Sequence, residues 1–297
     1  MKNKIVMNIM LLALTAFCTI GCSKSEEPTE IVTLDLQPQS EVDGNASTEP
    51  EALEPQTENA PQETFVSVQV ENPGWDYYCA KEGMTMEEQS VHLEKLSETA
   101  NGISSAEEWI AANQLDFQKM PYSDELYTYS TYGYNAFDTY ELQLQELFGD
   151  RRTISLNFSD YNYADDFVEA ERDFVFQRII WAKAEEGILY AATGHYTYAA
   201  SSPHNAYITA IDLEDYHIIW KTEPLTCNSL SFEVIDDAIV CGYGFTSEDD
   251  YLYILDRKTG LRQEEIPLKT AAEYIFQKDG ILYVKTYDTD YTFKISR

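Results

Sequence analysis

Gly187-Ile-Leu-Tyr-Ala-Ala-Thr193, Ala238-Ile-Val-Cys-Gly-Tyr-Gly244 and Gly280-Ile-Leu-Tyr-Val-Lys-Thr286 are three writings of one strand. Each follows an earlier strand and an acidic or glycine turn: Glu185-Glu186, Asp236-Asp237 and Lys278-Asp279. Each leads to a second shared motif: Tyr207-Ile-Thr-Ala-Ile-Asp212, Tyr251-Leu-Tyr-Ile-Leu-Asp256 and Tyr291-Thr-Phe-Lys-Ile-Ser296. Two of these run on into a turn and another strand, through Leu213-Glu-Asp-Tyr-His-Ile-Ile-Trp220 and Arg257-Lys-Thr-Gly-Leu-Arg-Gln-Glu264. Short apolar runs bounded by turn residues read as buried strands. The unit recurs about every 40 to 50 residues and holds four strands, which is the period of a β-propeller blade.

Working upstream, a worn copy runs from Leu126 to Phe158, with Gly149-Asp-Arg-Arg152 as its last turn. The expected fold is therefore mainly β: a small or partial β-propeller of about 3.5–4 four-stranded blades over residues 119–297. The last unit lacks an outer strand. Thr64-Phe-Val-Ser-Val-Gln-Val-Glu71 alternates with the period of a strand and is expected to supply it, because repeat proteins need capped or closed ends. Between them, Glu82 to Asp116 is expected to give a short helical segment of two helices docked on the β body. Met84, Val91, Leu93 and Leu96 form a weak helical face. Ser104 or Ser105 stands as N-cap before Glu107 and Glu108, so that Trp109, Ile110 and Leu115 pack inward.

The wording of the repeats resembles the quinoprotein-like, or PQQ-like, β-propeller repeats. Their blades read Gly-x-Leu-Tyr, then an aliphatic-Asp pair, a Thr-Gly turn and a Trp-bearing strand. Asp256-Arg-Lys-Thr-Gly260 and Asp212 to Trp220 carry the likeness, which covers about residues 170–297 well and 120–170 poorly. Full propellers of that family have seven or eight blades, and this chain has room for about half. The resemblance implies fold and says little of function. Enzymes of the class hold a quinone and calcium with a catalytic Asp and a stacked Trp. The four tryptophans here stand in no such site motif, so no cofactor is expected.

The N-terminus has its own signal. Lys2 and Lys4 precede a largely apolar run from Ile5 to Gly21, and polar residues follow Cys22, as in a secretory signal. Thr19-Ile-Gly-Cys22 resembles the lipobox of bacterial lipoproteins, with Thr19 where an aliphatic residue is usual. The resemblance implies cleavage after Gly21, lipidation of Cys22 and an extracytoplasmic, membrane-anchored body. From Ser25 to about Thr64, Glu, Pro, Gln, Ser and Thr dominate without Lys or Arg, a composition too poor in apolar residues to repay ordering. The expected organisation is a signal peptide at 1–21, an acidic tether at 22–64, a strand plus helical segment at 65–118, and the repeats at 119–297.

Net charge is −32, from 52 acids and 20 bases. Phosphate backbones and anionic headgroups are repelled by such a chain, so nucleic acid is excluded as a partner and the membrane is reached through the lipid at Cys22. An envelope protein is the expected further partner. Beyond Cys18 and Cys22 there are three cysteines, Cys79, Cys227 and Cys241. A Cys227–Cys241 bridge across a hairpin and buried free thiols both fit; no spacing marks a zinc site. Acidic turns at Ser247–Asp250, Asp288–Asp290 and Tyr163–Asp166 suit calcium oxygens in type but lack a calcium-loop spacing, so no metal is expected.

The candidate binding loop is Gly194 to Ala206, longer than its counterpart in the next unit and holding His195, Tyr196, Tyr198, His204 and Asn205. Insertions on a rigid scaffold carry binding. A Ser-His pair is present without an acid partner or nucleophile elbow, so no catalytic residue is assigned. Tyrosines crowd at 127, 129, 132 and 134 and again at 161 and 163, and fit either strand packing or contact with sugar or peptide. The expected function is a non-enzymatic protein-binding or scaffold lipoprotein. The alternative is a carbohydrate-binding or hydrolytic envelope protein with its site near 194–206.

Overall fold

The structure, a computed structural model, describes residues 64–77, 85, 88–103, 105–116 and 119–297. The expected signal peptide, Cys22, the tether and Cys79 lie outside the described residues. The chain forms β1 (Phe65–Gln69), β2 (His92–Ala100), α1 (Ala106–Ala112), β3 (Tyr122–Ser123), β4 (Tyr127–Gly133), β5 (Thr139–Glu146) and β6 (Thr153–Asn157). There follow β7 (Arg178–Glu185), β8 (Ile188–Gly194), β9 (Tyr207–Asp212) and β10 (Ile218–Lys221), then β11 (Glu233–Ile235), β12 (Ala238–Tyr243), β13 (Tyr251–Asp256) and β14 (Arg262–Pro267). The last are β15 (Ala272–Lys278), β16 (Ile281–Thr286) and β17 (Thr289–Ser296).

These strands make four sheets, one of five strands and three of four. Consecutive strands in each form an antiparallel meander, joined in the first and last sheets by β1 and β2 from earlier in the chain, and the succession is propeller-like. The Gly-Ile-Leu-Tyr motifs are the second strands β8, β12 and β16, and the Tyr-to-Asp motifs are the third strands β9, β13 and β17. The worn copy is the first sheet. The hairpin turns before the second strands of the second and fourth sheets explain the repeated spelling: Glu186-Gly187 and Asp279-Gly280 both take positive φ, the two-residue turn whose twist matches that of paired strands.

Two expectations about the N-terminal part are corrected. Residues 65–69 do pair at an outer edge, but in the first sheet, parallel to β6, with Phe65 opposite Thr153 and Gln69 opposite Asn157. The last sheet is completed by β2, antiparallel to β17 from His92–Ser296 to Ala100–Thr289. The segment around Val91, Leu93 and Leu96 is therefore a strand and not a helix, and among the described residues α1 alone answers to the two α-helices expected there. The α1 reading itself holds. Ser105 Oγ accepts from Glu108 N at 3.3 Å, and Trp109, Ile110 and Leu115 are buried with Phe276 of β15.

Adjacent sheets are joined by specific contacts. Tyr122 stacks between Tyr129 and Trp181, with centroids 4.6 and 4.5 Å away, and its hydroxyl donates to Ala182 O, tying the first sheet to the second. Lys183 reaches Glu233 Oε2 at 2.9 Å, and Glu233 Oε1 accepts from Gln277 N at 3.2 Å. Ser231 Oγ donates to Ile275 O and accepts from Ile275 N. Trp220 of β10 lies over the Thr259-Gly260 turn of the third sheet, its Nε1 donating to Arg257 O at 3.1 Å. That contact explains why a Thr-Gly turn and a Trp-bearing strand recur together. Cys227 and Cys241 are free, buried thiols.

A Cβ on Gly260 would lie 2.6 to 3.0 Å from three atoms of the Trp220 ring, and the residue has φ +70. Gly260→Ala is expected to cost about 2 kcal/mol or more through the left-handed backbone and overpacking together. A lowered urea midpoint with an unchanged slope is the expected readout; an unchanged midpoint would show that the ring is not fixed on this turn.

Candidate functional site

The loop from β8 to β9 holds the five candidate residues, and the structure separates them. His195 is fully buried, with Thr197 N donating to Nδ1 at 3.3 Å and Nε2 3.0 Å from Ser202 O. Those two bonds define a neutral ring with its proton on Nε2, and burial pushes its pKa down. Asn205 Oδ1 accepts from His195 N at 2.7 Å, so these two residues staple the loop to itself. His204 Nδ1 lies 2.8 Å from Asp166 Oδ2, beside Trp75. Asp166 also accepts from Ser202 Oγ and His204 N, which gives this acidic turn a structural use. Tyr198 points outward with its ring edge-on to Phe245. Tyr196 alone turns to a cavity, stacking under the Arg178 guanidinium at 5.1 Å.

That cavity has a volume of about 280 Å³ and collects residues from three of the four sheets and from the loop leading into the third. Thr131 and Thr139 come from the first, Arg178 to Trp181 from β7, Leu230 from the approach to β11, and Tyr274 from β15. Lys119, Met120, Ala136, Phe137 and Tyr196 complete the wall, which among the described residues holds no Asp, Glu, His or Cys. Phe137 is 75% exposed at its rim, and Leu230 and Tyr196 are exposed beside it. Between Ile179 and Trp181 the β7–β8 register shifts by one residue. The inserted residue offsets the two-residue alternation, so Arg178 and Trp181, three apart, both reach the cavity. Burial raises the phenol of Tyr274, which stays protonated.

A larger hollow, about 650 Å³, opens between the second and third sheets, lined by Tyr190, Trp220, Asp236 and Arg257 among others. Its polar groups are already paired: Arg257 donates to Tyr190 OH and to the carbonyls of Asp236 and Glu185. Lys221 is also buried, with Nζ 3.1 Å from Asn72 Oδ1, 2.6 Å from Gly74 O and 4.5 Å from the Tyr207 ring centre. Burial lowers its pKa to about 8. It anchors the segment after β1 beneath Trp75, and its aromatic surround is filled by its own ammonium. Asp212, Asp215 and His217 place one ligand atom each within 4.8 Å in an exposed turn, the set that could hold a cation. Asp212 Oδ1 is already engaged by the amides of Glu214 and Asp215.

Arg178, Trp181, Phe137 and Tyr274 were not singled out in the sequence. The available signal was Arg178-Ile-Ile-Trp181 itself, a lone cation opening an apolar strand in a strongly acidic chain.

No family model and no curated protein matches the chain. Solved structures with partial likeness include BamB from Moraxella catarrhalis, at 12% identity and TM-score 0.31, over 60% of this chain and 61% of that one. Two computationally designed proteins are also similar: Ika4, at 8% identity and TM-score 0.34 over 58% of this chain and 86% of that one, and Ika8, at 8% and 0.24 over 56% and 58%. The chain thus spans about three fifths of the BamB chain it matches.

The His195 arrangement has a pH signature. Its folded pKa lies below that of the unfolded chain, so the unfolded state binds the extra proton. The stability this neutral ring contributes is fully present above about pH 6.5 and is lost as pH falls toward the folded value. His195→Gln is expected to flatten the fall in urea midpoint between pH 7 and 5; an unchanged slope would remove His195 as its source.

Proposed function

We propose that the chain is an extracytoplasmic lipoprotein, anchored through lipid at Cys22, whose body is a small β-propeller of PQQ-like repeats acting as a non-enzymatic binding module for an envelope protein. The observation that carries this reading is the cavity lined by the first, second and fourth sheets, with exposed Phe137, Leu230 and Tyr196 at its rim. A concave pocket of mixed apolar wall and few polar groups is the usual form of a recognition site, and exposed aromatics at its edge suit a protein partner. Its wall offers cations and phenols but no acid–base pair, which favours capture over hydrolysis. The reading of residues 194–206 as a sugar-binding or hydrolytic site has less support, because His195, His204 and Asn205 are occupied in holding the loop.

Crosslinking and pull-down of the full chain from envelope membranes tests the proposal against a Phe137→Asp, Leu230→Asp variant. A reproducible set of captured proteins, lost by the variant while its far-ultraviolet spectrum is kept, is the expected result. Capture identical in both, or none, would sink the binding role of this face. Separately, Cys22→Ser is expected to move the chain from the membrane to the soluble extracytoplasmic fraction; retention in the membrane would remove the lipid anchor.

A further inference from the structure

The far faces of the two end sheets differ. On the last sheet, Ile275 and Leu282 pack toward the third, and their neighbours Phe276 and Tyr283 lie under α1 with Trp109 and Ile110. On the first sheet, Ile154, Leu144 and Tyr129 stand in one register row and face the core. The next row, Ser67, Ser155, Gln143 and Ser130, points the other way. So do two flanking rows, one running from Phe65 through Gln145 to Ser123 and the other from Gln69 through Asn157 to Tyr132. Apart from Glu141, these outward rows hold Ser, Thr, Gln and Asn, with two aromatics, Phe65 and Tyr132, at opposite corners. Those rings are 62% and 50% exposed. Of the strand tyrosines at 127, 129 and 132, Tyr132 is the one on this face.

Solubility does not account for this composition. The chain meets that need with acids, at 24% charged residues and a net charge of −32, and acids serve it better than amides. The one carboxylate here is engaged within the face, Glu141 Oε1 accepting from Ser155 Oγ at 2.6 Å and from Gln143 Nε2 at 3.0 Å. Among the described residues, the side chains of Ser67, Ser130 and Gln145 make no hydrogen bond within the protein, so their donors and acceptors stay available. We propose that the outer face of the first sheet binds a neutral polysaccharide chain. Amides and hydroxyls both donate and accept, as sugar hydroxyls do, and they pair without a charge to desolvate. Tyr132 and Phe65 offer flat apolar rings to the faces of two sugar units. The register sets them about 20 Å apart, on the diagonal of three strand spacings and four residues, so an extended chain reaches both. Acidic glycans are repelled by the net charge. Size decides against a protein. The face measures roughly 19 by 13 Å, or about 250 Å², whereas a stable interface takes about 800 Å² from each partner. A second copy of this chain would overhang onto surface of its own sign of charge.

The test is native affinity electrophoresis of the full chain in mild detergent. Separate gels carry a soluble β-glucan, a mannan, a xylan or starch, with polygalacturonate as the charged counterpart. Retardation by at least one neutral polysaccharide, and none by polygalacturonate, is the expected result. Tyr132→Ala is expected to weaken that retardation about tenfold through loss of one stacked ring. The pair Gln69→Glu and Gln145→Glu keeps both side-chain shapes at exposed positions and puts two carboxylates on the face. It is expected to weaken retardation by about tenfold or more, with the urea midpoint kept, which guards against a folding defect in the tyrosine variant. No retardation by any neutral polysaccharide overturns the proposal, as does equal retardation by polygalacturonate or retardation that neither variant changes. Sedimentation of the same samples covers the remaining occupant: a dimer abolished by the Gln→Glu pair, without retardation, assigns the face to a second copy and overturns the glycan. The Phe137→Asp, Leu230→Asp variant is expected to be retarded as the unmodified chain is, so this proposal and the protein-binding reading, on which it does not rest, fail separately.

Discussion

The ladder between β2 and β17 is the interaction on which the rest of the molecule depends. Without it, the last sheet would have three strands and end on β17. With it, Val91 is fully buried in the core shared by the third and fourth sheets. The pairing also fixes where the next residues go. Asn101 N donates to Asp288 O, and the chain then enters α1, whose Trp109 packs on Phe276 with centroids 6.4 Å apart. From there it descends past Lys119 and Met120 into the cavity wall and on to β3. One strand taken from the far end of the sequence thus closes a sheet, places a helix and delivers two residues of the site.

The four-strand repeats were legible because each obeys a local rule: an apolar run, a turn residue with positive φ, then a second run. The strand β2 breaks that rule for an identifiable reason. Leu93 faces Ile295, but the register with β17 shifts between Thr292 and Phe293, leaving Leu96 between Lys95 and Ser97 as the unpaired residue. Leu93 and Leu96 are then three apart, the spacing of a helix face, although Leu96 is more than half exposed and belongs to a bulge. The alternation of residues 65–69 correctly marked a strand. Its partner was illegible, because parallel pairing to β6 is a long-range choice that no local pattern encodes.

The site was legible in part and for the same reason. Loop 195–206 stood out by its length, but length does not reveal that His195 and Asn205 are spent on each other. Nor does it show that Tyr196 and Tyr198 leave the loop for different neighbours, Arg178 and Phe245. The cavity draws on residues from 119 to 274, and a bulge in β7 decides which of them reach it. Such a bulge adds one residue to an apolar run and leaves no mark in composition.

Stability and recognition meet at Trp181. Its ring is the last member of the Tyr129–Tyr122–Trp181 stack, and the stack is locked by two hydroxyls, Tyr122 to Ala182 O and Tyr129 donating to Asp124 Oδ2 while accepting from Ala184 N at 2.9 Å. The face of the indole therefore holds the first sheet to the second. Its edge carries a donor with no partner among the described residues. A Phe in the same place would keep the stack and avoid the unmet donor, so packing alone does not account for tryptophan here. Stacked on Tyr122, the ring is ordered when the chain folds. The join between the first two sheets therefore rests on aromatic faces and leaves one indole edge without a hydrogen-bond partner among the described residues.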